Sequence, residues 1–277
     1  MILSTASPTL APGGAWLLAG VAFVLYLLAA LPLAKLARLS AAALVGAFAL
    51  HLLLLVIDIG GFGQAEPGAR LGFGPVLSMT VWLVITVHTV ESRLVPLPAV
   101  RQWLGLAGAA AVLLAALFPG ELRPMASALV PLHFALGVGS YGLFGAAVVH
   151  AVMLDAAERR LRGGATAARA PAPGRAMGMP LLQLERLTFR FVEAGFAVLT
   201  ATLLLGVVTT AQWRWDHKTV FSLLAWGVFA ALLFGRRLRG WRGRRATRWL
   251  YAGAALLLLA YAGSRFVVEV LLARAAG

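Results

Sequence analysis

The sequence predicts an all-α fold, a polytopic membrane helix bundle of about eight transmembrane helices with both termini on the outer face. Three observations carry this. The 277 residues are 61% hydrophobic and 12% charged, against about 45–50% and about 25% in soluble domains. The apolar residues gather in runs of about 20, the length a helix needs to cross a bilayer's hydrocarbon core. The net charge of +14 falls in short clusters between those runs, most of it on alternate connections.

The runs place spans near 15–36, 41–59, 75–90, 103–118, 130–154, 191–210, 220–234 and 249–272, and the whole chain reads as one integral membrane domain. The first run is too long for a signal-peptide core, and Met1–Gly14 has no basic n-region, so it is expected to stay as a helix. The connections after the first and third spans hold two cations each, Lys35 with Arg38 and Arg93 with Arg101. Those after the fifth and seventh hold seven arginines each, Arg159 to Arg190 and Arg236 to Arg248. Eighteen of the 24 Lys and Arg therefore lie on one side, which the positive-inside rule makes cytoplasmic. Both termini and the "QWRWDHKT" segment, Gln212 to Thr219, face outward, the periplasmic face in a bacterium. The expected location is a bacterial inner membrane.

The longest connection, 155–190, contains "GGATAARAPAPGRAMG" and reads as a flexible basic cytoplasmic loop. Its arginines, like those of "RRLRGWRGRRATR", fit topology and anionic lipid better than nucleic acid, because no soluble domain accompanies them. With no cysteine, disulfides, thiolate metal sites and covalent thioether attachment of haem are excluded. The chain has no phosphate-binding loop, nucleophile elbow, zincin helix or dinucleotide fingerprint. No catalytic constellation emerges, so an enzyme is not expected.

Ionisable groups inside spans are costly and face a bundle interior or a cavity. His51 sits at mid-membrane in the second span, open to either an interhelical hydrogen bond or a metal bond. His133 stands at the outer end of the fifth span in "PLHFALGVGSYG". His88 and His150 lie near the interface, where headgroups account for them, and His217 is in the outer loop. Neutral imidazole is the commonest axial ligand of haem iron. Trp213, Trp215, Trp226 and Tyr141 could supply flat faces, with Gly137 and Gly139 allowing approach. Arg214 and Lys218 are placed to meet propionates. Each has a plainer reading: the indoles as interfacial belt, the glycines as helix packing, and Asp216 as an N-cap.

The "WRWDHKTVFSLLAWGVFAALLFGRR" stretch followed by "GWRGRRATRWLYAGAALLLLAYAGSRFVVE" resembles the cytochrome c assembly family of haem-handling membrane proteins, the CcsA-, CcmC- and HemX-like group. That family carries a tryptophan-rich periplasmic WWD segment with a "WxWDxK" core, matched by Trp213, Trp215, Asp216 and Lys218. "LHFALGVGSYG" is similar to the family's first periplasmic haem histidine and the Ser-Tyr after it, matched by His133, Ser140 and Tyr141. Length and ending most resemble the small YpjD-type inner-membrane members.

The resemblance implies a haem b held at the periplasmic face, with His133 as axial ligand and Trp213 and Trp215 flanking the ring. It implies other cytochrome c maturation or membrane proteins as partners, beside the membrane lipid, and no nucleic acid, to which the arginine-rich connections already point. The chain also departs from the family's haem exporters. "AYAGSRFVVEVLL" has no second periplasmic histidine, Phe234 stands about where a membrane histidine is expected, and the WWD segment is reduced to its last residues. His51 is a candidate for the other membrane histidine and His217 a replacement ligand. The alternatives are a membrane scaffold or regulatory partner that keeps the fold without haem transfer and, more remotely, a secondary transporter.

Overall fold

A computed structural model describes residues 12–31, 37–60, 69–70, 72–92, 98–120, 122–123, 129–162, 175–176, 179–209 and 215–263. Within them the chain is all-helical apart from two minimal β pairs. The helices are α1 (Pro12–Ala30), α2 (Ala37–Gly60), α3 (Phe73–Ser92), α4 (Pro98–Leu117), α5 (Leu129–Arg162), α6 (Leu181–Thr209), α7 (His217–Arg239) and α8 (Gly243–Leu258). A five-residue π-turn, Leu259–Gly263, continues α8. Strand β1 (Ala69–Arg70) pairs antiparallel with β2 (Leu122–Arg123), and β3 (Arg175–Ala176) with β4 (Met179–Pro180). Helices α2 to α7 are long and apolar enough to cross a membrane. Helix α1 is shorter, and the last part of the expected eighth span lies outside the described residues. This is a multi-pass membrane protein.

The chain forms two compact units. The first holds α1, α2, α4 and α3 up to Ile85. Its centre is polar: His51 on α2, fully buried, shares a 2.9 Å hydrogen bond at Nδ1 with the Tyr26 hydroxyl of α1. Its Nε2 shares a 2.7 Å bond with the Ser78 hydroxyl of α3. One imidazole thus ties three helices, with no polar atom left to the hydrocarbon. Helix α4 covers Tyr26 at Gly108, where a Cβ would come within 2.7 Å of the phenol ring. Nearby, the Trp82 indole N–H donates to the Phe48 carbonyl at 3.2 Å, while the two rings stack 4.8 Å apart.

In the second unit α5, α6, α7 and α8 run up and down in alternation. His133, Gly137, Phe144 and His150 of α5 meet Gly206, Thr202, Gly195 and Phe191 of α6 in turn. Trp226 and Arg236 of α7 meet Thr200 and Glu185 of α6. Asp155 of α5 meets Thr247 and Tyr251 of α8, and Tyr141 meets Leu257. Such adjacent antiparallel helices bury one stripe each against a common core. That core is built on Phe144 and Phe229, stacked 3.8 Å apart, with Val192, Leu199, Leu232, Leu250 and Leu257 around them.

The connection expected as a flexible loop at 155–190 is a correction. Helix α5 continues to Arg162 and α6 begins at Leu181, so both ends of the expected loop are helical. "DAAERRLR" and "LLQLERLTFR" are rich in good helix formers, and tertiary partners hold them. The Asp155 carboxylate accepts from the Thr247 and Tyr251 hydroxyls, each at 2.9 Å. The Arg236 guanidinium bonds Glu185 at 2.9 Å while lying 3.5 Å over the Phe189 ring. Residues 163–174 lie outside the described residues.

Candidate functional site

One end of the second unit gathers the start of α5, the end of α6, the start of α7 and the π-turn after α8. The residues singled out in the sequence fall here, and they fall unequally. His133 lies in the second turn of α5, half-buried, with its Nδ1 enclosed and without a hydrogen-bond partner among the described residues. Its ring edge rests on α6 at Gly206, where a Cβ would come within 3.1 Å of Cε1 and 3.6 Å of Nδ1. The Thr202 backbone carbonyl faces the same ring.

Asp216 is the N-cap of α7. Its backbone is extended, and its Oδ1 accepts from the Thr219 amide at 2.9 Å and from the Thr219 hydroxyl at 2.8 Å. Partial shielding from water pushes the Asp216 carboxyl up. The two Thr219 bonds, with Lys218 and His217 alongside, outweigh that and hold it below the ordinary carboxylate value. A depressed folded-state value contributes stability above the unfolded value and loses it as pH falls through the folded one. Asp216→Ala is therefore expected to weaken α7 by about 1 kcal/mol at neutral pH, and Asp216→Asn, an equally good cap, by much less. Thermal unfolding in detergent at pH 7 and below pH 4 checks both. The wild type should lose stability with acid, and the asparagine variant should lose less.

Lys218 lies with its Nζ 5.5 Å from the centre of the Tyr261 ring in the π-turn, within cation–π range. Tyr141 donates to the Leu257 carbonyl at 2.6 Å, just before that turn, and Ser140 donates back to the Gly137 carbonyl at 2.7 Å. Trp215 is 72% exposed, and His217 is exposed at the first position of α7. Trp213 and Arg214 lie outside the described residues. His51 belongs to the first unit, and both of its ring nitrogens are engaged by Tyr26 and Ser78. Of the two readings left open for it, the geometry is that of the interhelical hydrogen bond. His88 and His150 are buried, and His150 donates from Nδ1 to the Ala146 carbonyl at 2.9 Å while stacking on Phe191.

Two residues were missed. Gly206 interrupts an otherwise bulky run in "TLLLGVVT", which is a signal, since glycine in a helix costs about 1 kcal/mol against alanine without a packing reason. Tyr261 carried no comparable signal, because its partner Lys218 is brought to it by the turn.

The residues suit an axial haem ligand better than a bare metal ion. Among the described residues no three of His, Asp and Glu cluster, whereas His133 is a single half-buried imidazole whose Nδ1 has no partner among the described residues and whose ring packs on α6 at Gly206.

A polytopic helical chain whose second unit carries His133 and the Asp216-capped start of α7 at one end also matches a known family by sequence. The Cytochrome C assembly protein family model covers residues 15–272, and the chain belongs to that family. It is 30% identical over 211 residues to the inner membrane protein YpjD of Escherichia coli (strain K12), covering 73% of this chain and 75% of that one. An uncharacterized 28.8 kDa protein of Azospirillum brasilense is 34% identical over 148 residues, 52% of this chain and 53% of its own. The cytochrome c biogenesis protein CcsA of Gloeobacter violaceus is 33% identical over 91 residues, 31% of this chain and 27% of its own. No solved structure matches the chain.

Proposed function

We propose that this protein binds haem b at the periplasmic face of a bacterial inner membrane and takes part in cytochrome c biogenesis. Family membership supports the biogenesis role, and the inner membrane is that of the YpjD relative. The observation that carries the haem reading is His133, a half-buried imidazole whose Nδ1 has no partner among the described residues, at the end of the unit where the Trp215–Asp216–Lys218 motif begins α7. Bound there, haem would supply redox and ligation chemistry of its own.

The protein's part is to hold and orient. His133 would donate a neutral imidazole nitrogen, with the Thr202 backbone carbonyl facing the ring, the kind of support a ligating histidine uses. Trp215, with Trp213, offers a flat apolar face. Asp216 anchors the segment by capping α7. Lys218, with Arg214, supplies cationic charge for propionates. This would be the reduced form of the WWD segment.

The test is the visible spectrum of the full chain purified in mild detergent with haem supplied. A Soret band is expected for the wild type, and His133→Ala is expected to lose most of it while remaining folded by circular dichroism. A wild type without a Soret band, or an alanine variant that keeps it in full, overturns the assignment. A second reading, a scaffold that keeps the fold without haem, draws on the intramolecular engagement of His51, Asp216, Tyr141 and Lys218. Stoichiometric copurification of a membrane partner from a haem-free preparation would favour it.

A further inference from the structure

The opposite end of the second unit carries charge that the fold does not neutralise. Arg236 and Arg242 both reach Glu185, and Arg237 reaches Glu193. Asp155 is taken by Thr247 and Tyr251, and Glu158 lies against Gly243. The acids thus serve the helix contacts. Arg239, Arg244, Arg245 and Arg248 are exposed, and none makes an ion pair among the described residues. Four like charges within ten residues repel one another unless an anion joins them.

At the middle of this turn sits Trp241, only 8% exposed. Its ring fills the space left at Gly235, where any Cβ would overlap it, and its amide donates to the Gly235 carbonyl at 3.2 Å. Its indole N–H is buried and has no acceptor among the described residues. An unsatisfied buried donor is a cost that folds seldom leave standing. Against the same ring, the Arg245 guanidinium lies 4.2 Å from the ring centre. Stacking holds a guanidinium flat and leaves its N–H fork free for a planar, two-oxygen acceptor. Leu238 and Phe234, at 79% and 66% exposure on α7, show that apolar side chains emerge on this helix within a turn or two of the arginines. That pairing of cation and exposed hydrocarbon belongs to the boundary between headgroups and acyl chains.

We propose that the α7–α8 turn is a binding site for an anionic phospholipid. The headgroup phosphate is held by Arg245 and Arg248, with Arg244 adding charge and the Trp241 ring holding the Arg245 guanidinium in place. The acyl chains lie along the apolar face of α7. A free phosphate shares the headgroup chemistry but has no use for Leu238 and Phe234, so lipid is the occupant the surface fits. The site lies at the far end of the unit from His133 and stands or falls independently of haem.

The experiment uses the delipidated full chain in neutral detergent, with phosphatidylglycerol, phosphatidylcholine of the same acyl chains, and inorganic phosphate as separate probes. Binding is read by native mass spectrometry and by the shift in unfolding temperature. Phosphatidylglycerol is expected to bind at least tenfold more tightly than phosphatidylcholine, and inorganic phosphate at matched ionic strength to give no comparable shift. Arg245→Gln, a surface change, should reduce the phosphatidylglycerol affinity about tenfold, the worth of one charge-assisted bond. Equal binding of the two lipids, full retention of the preference in Arg245→Gln, or an equal effect of inorganic phosphate would each overturn the proposal.

Discussion

His51→Leu is expected to lower the unfolding temperature in detergent by roughly 5–10 °C. Two buried hydroxyls lose their partner at once. A buried polar group without a partner costs about 1–3 kcal/mol, yet hydrogen bonds between membrane helices average only about 0.6 kcal/mol because freed groups find new acceptors. The two hydroxyls differ in that freedom. Ser78 can turn back to a carbonyl of its own helix, as Thr80, Thr188, Thr200 and Thr202 do at 2.7–2.8 Å. Tyr26 cannot, because its ring is fully buried and closed over by Gly108. The cost is therefore dominated by Tyr26, about 2–3 kcal/mol, and a protein of this size loses about 2–4 °C for each. The cycle that combines His51→Leu with Tyr26→Phe isolates the pair. The double variant should be more stable than the two single losses added together. The Soret absorbance per folded molecule should stay at the wild-type level. A selective loss of it would make His51 a ligand after all.

Gly206 substitutions are expected to separate folding from haem binding. In Gly206→Ala the new Cβ meets the His133 ring edge at 3.1 Å, closer than a relaxed contact, so the half-buried ring must shift by a few tenths of an ångström. Helix α6 meanwhile gains about 1 kcal/mol of intrinsic propensity. The unfolding temperature should hold or rise, while the Soret maximum moves or weakens as the imidazole tilts. Gly206→Leu cannot be absorbed by a tilt, so haem retention should fall about tenfold or more with the helix content unchanged. A leucine variant that keeps the wild-type spectrum would show that the ring position against α6 is irrelevant to ligation.

The helices could be read from the sequence wherever apolar runs were unbroken, and α2 and α4 fall within a few residues of their expected places. The arginine-rich ends of α5 and α6 could not, because composition there resembles a linker. What makes them helical are Asp155, held by residues about ninety positions away, and Glu185, held by Arg236. His51 posed a similar difficulty. A buried imidazole is compatible with a metal or with two hydroxyls until the partners on α1 and α3 are known. At the candidate site, His133 and Asp216 were visible through motif and capping chemistry. Gly206 needed the register of α5 against α6, which is set by packing across a long connection. The π-turn that brings Tyr261 beneath Lys218 has no periodic signature at all.

The imidazole that joins three helices also has a consequence for biosynthesis. Chains fold from the amino terminus as they are made, so Tyr26 and His51 enter the membrane before Ser78. The first helical pair can satisfy one ring nitrogen and must carry the other bare until the third helix arrives. That gives the nascent pair a reason to linger at the insertion machinery and wait for its neighbour before release into lipid.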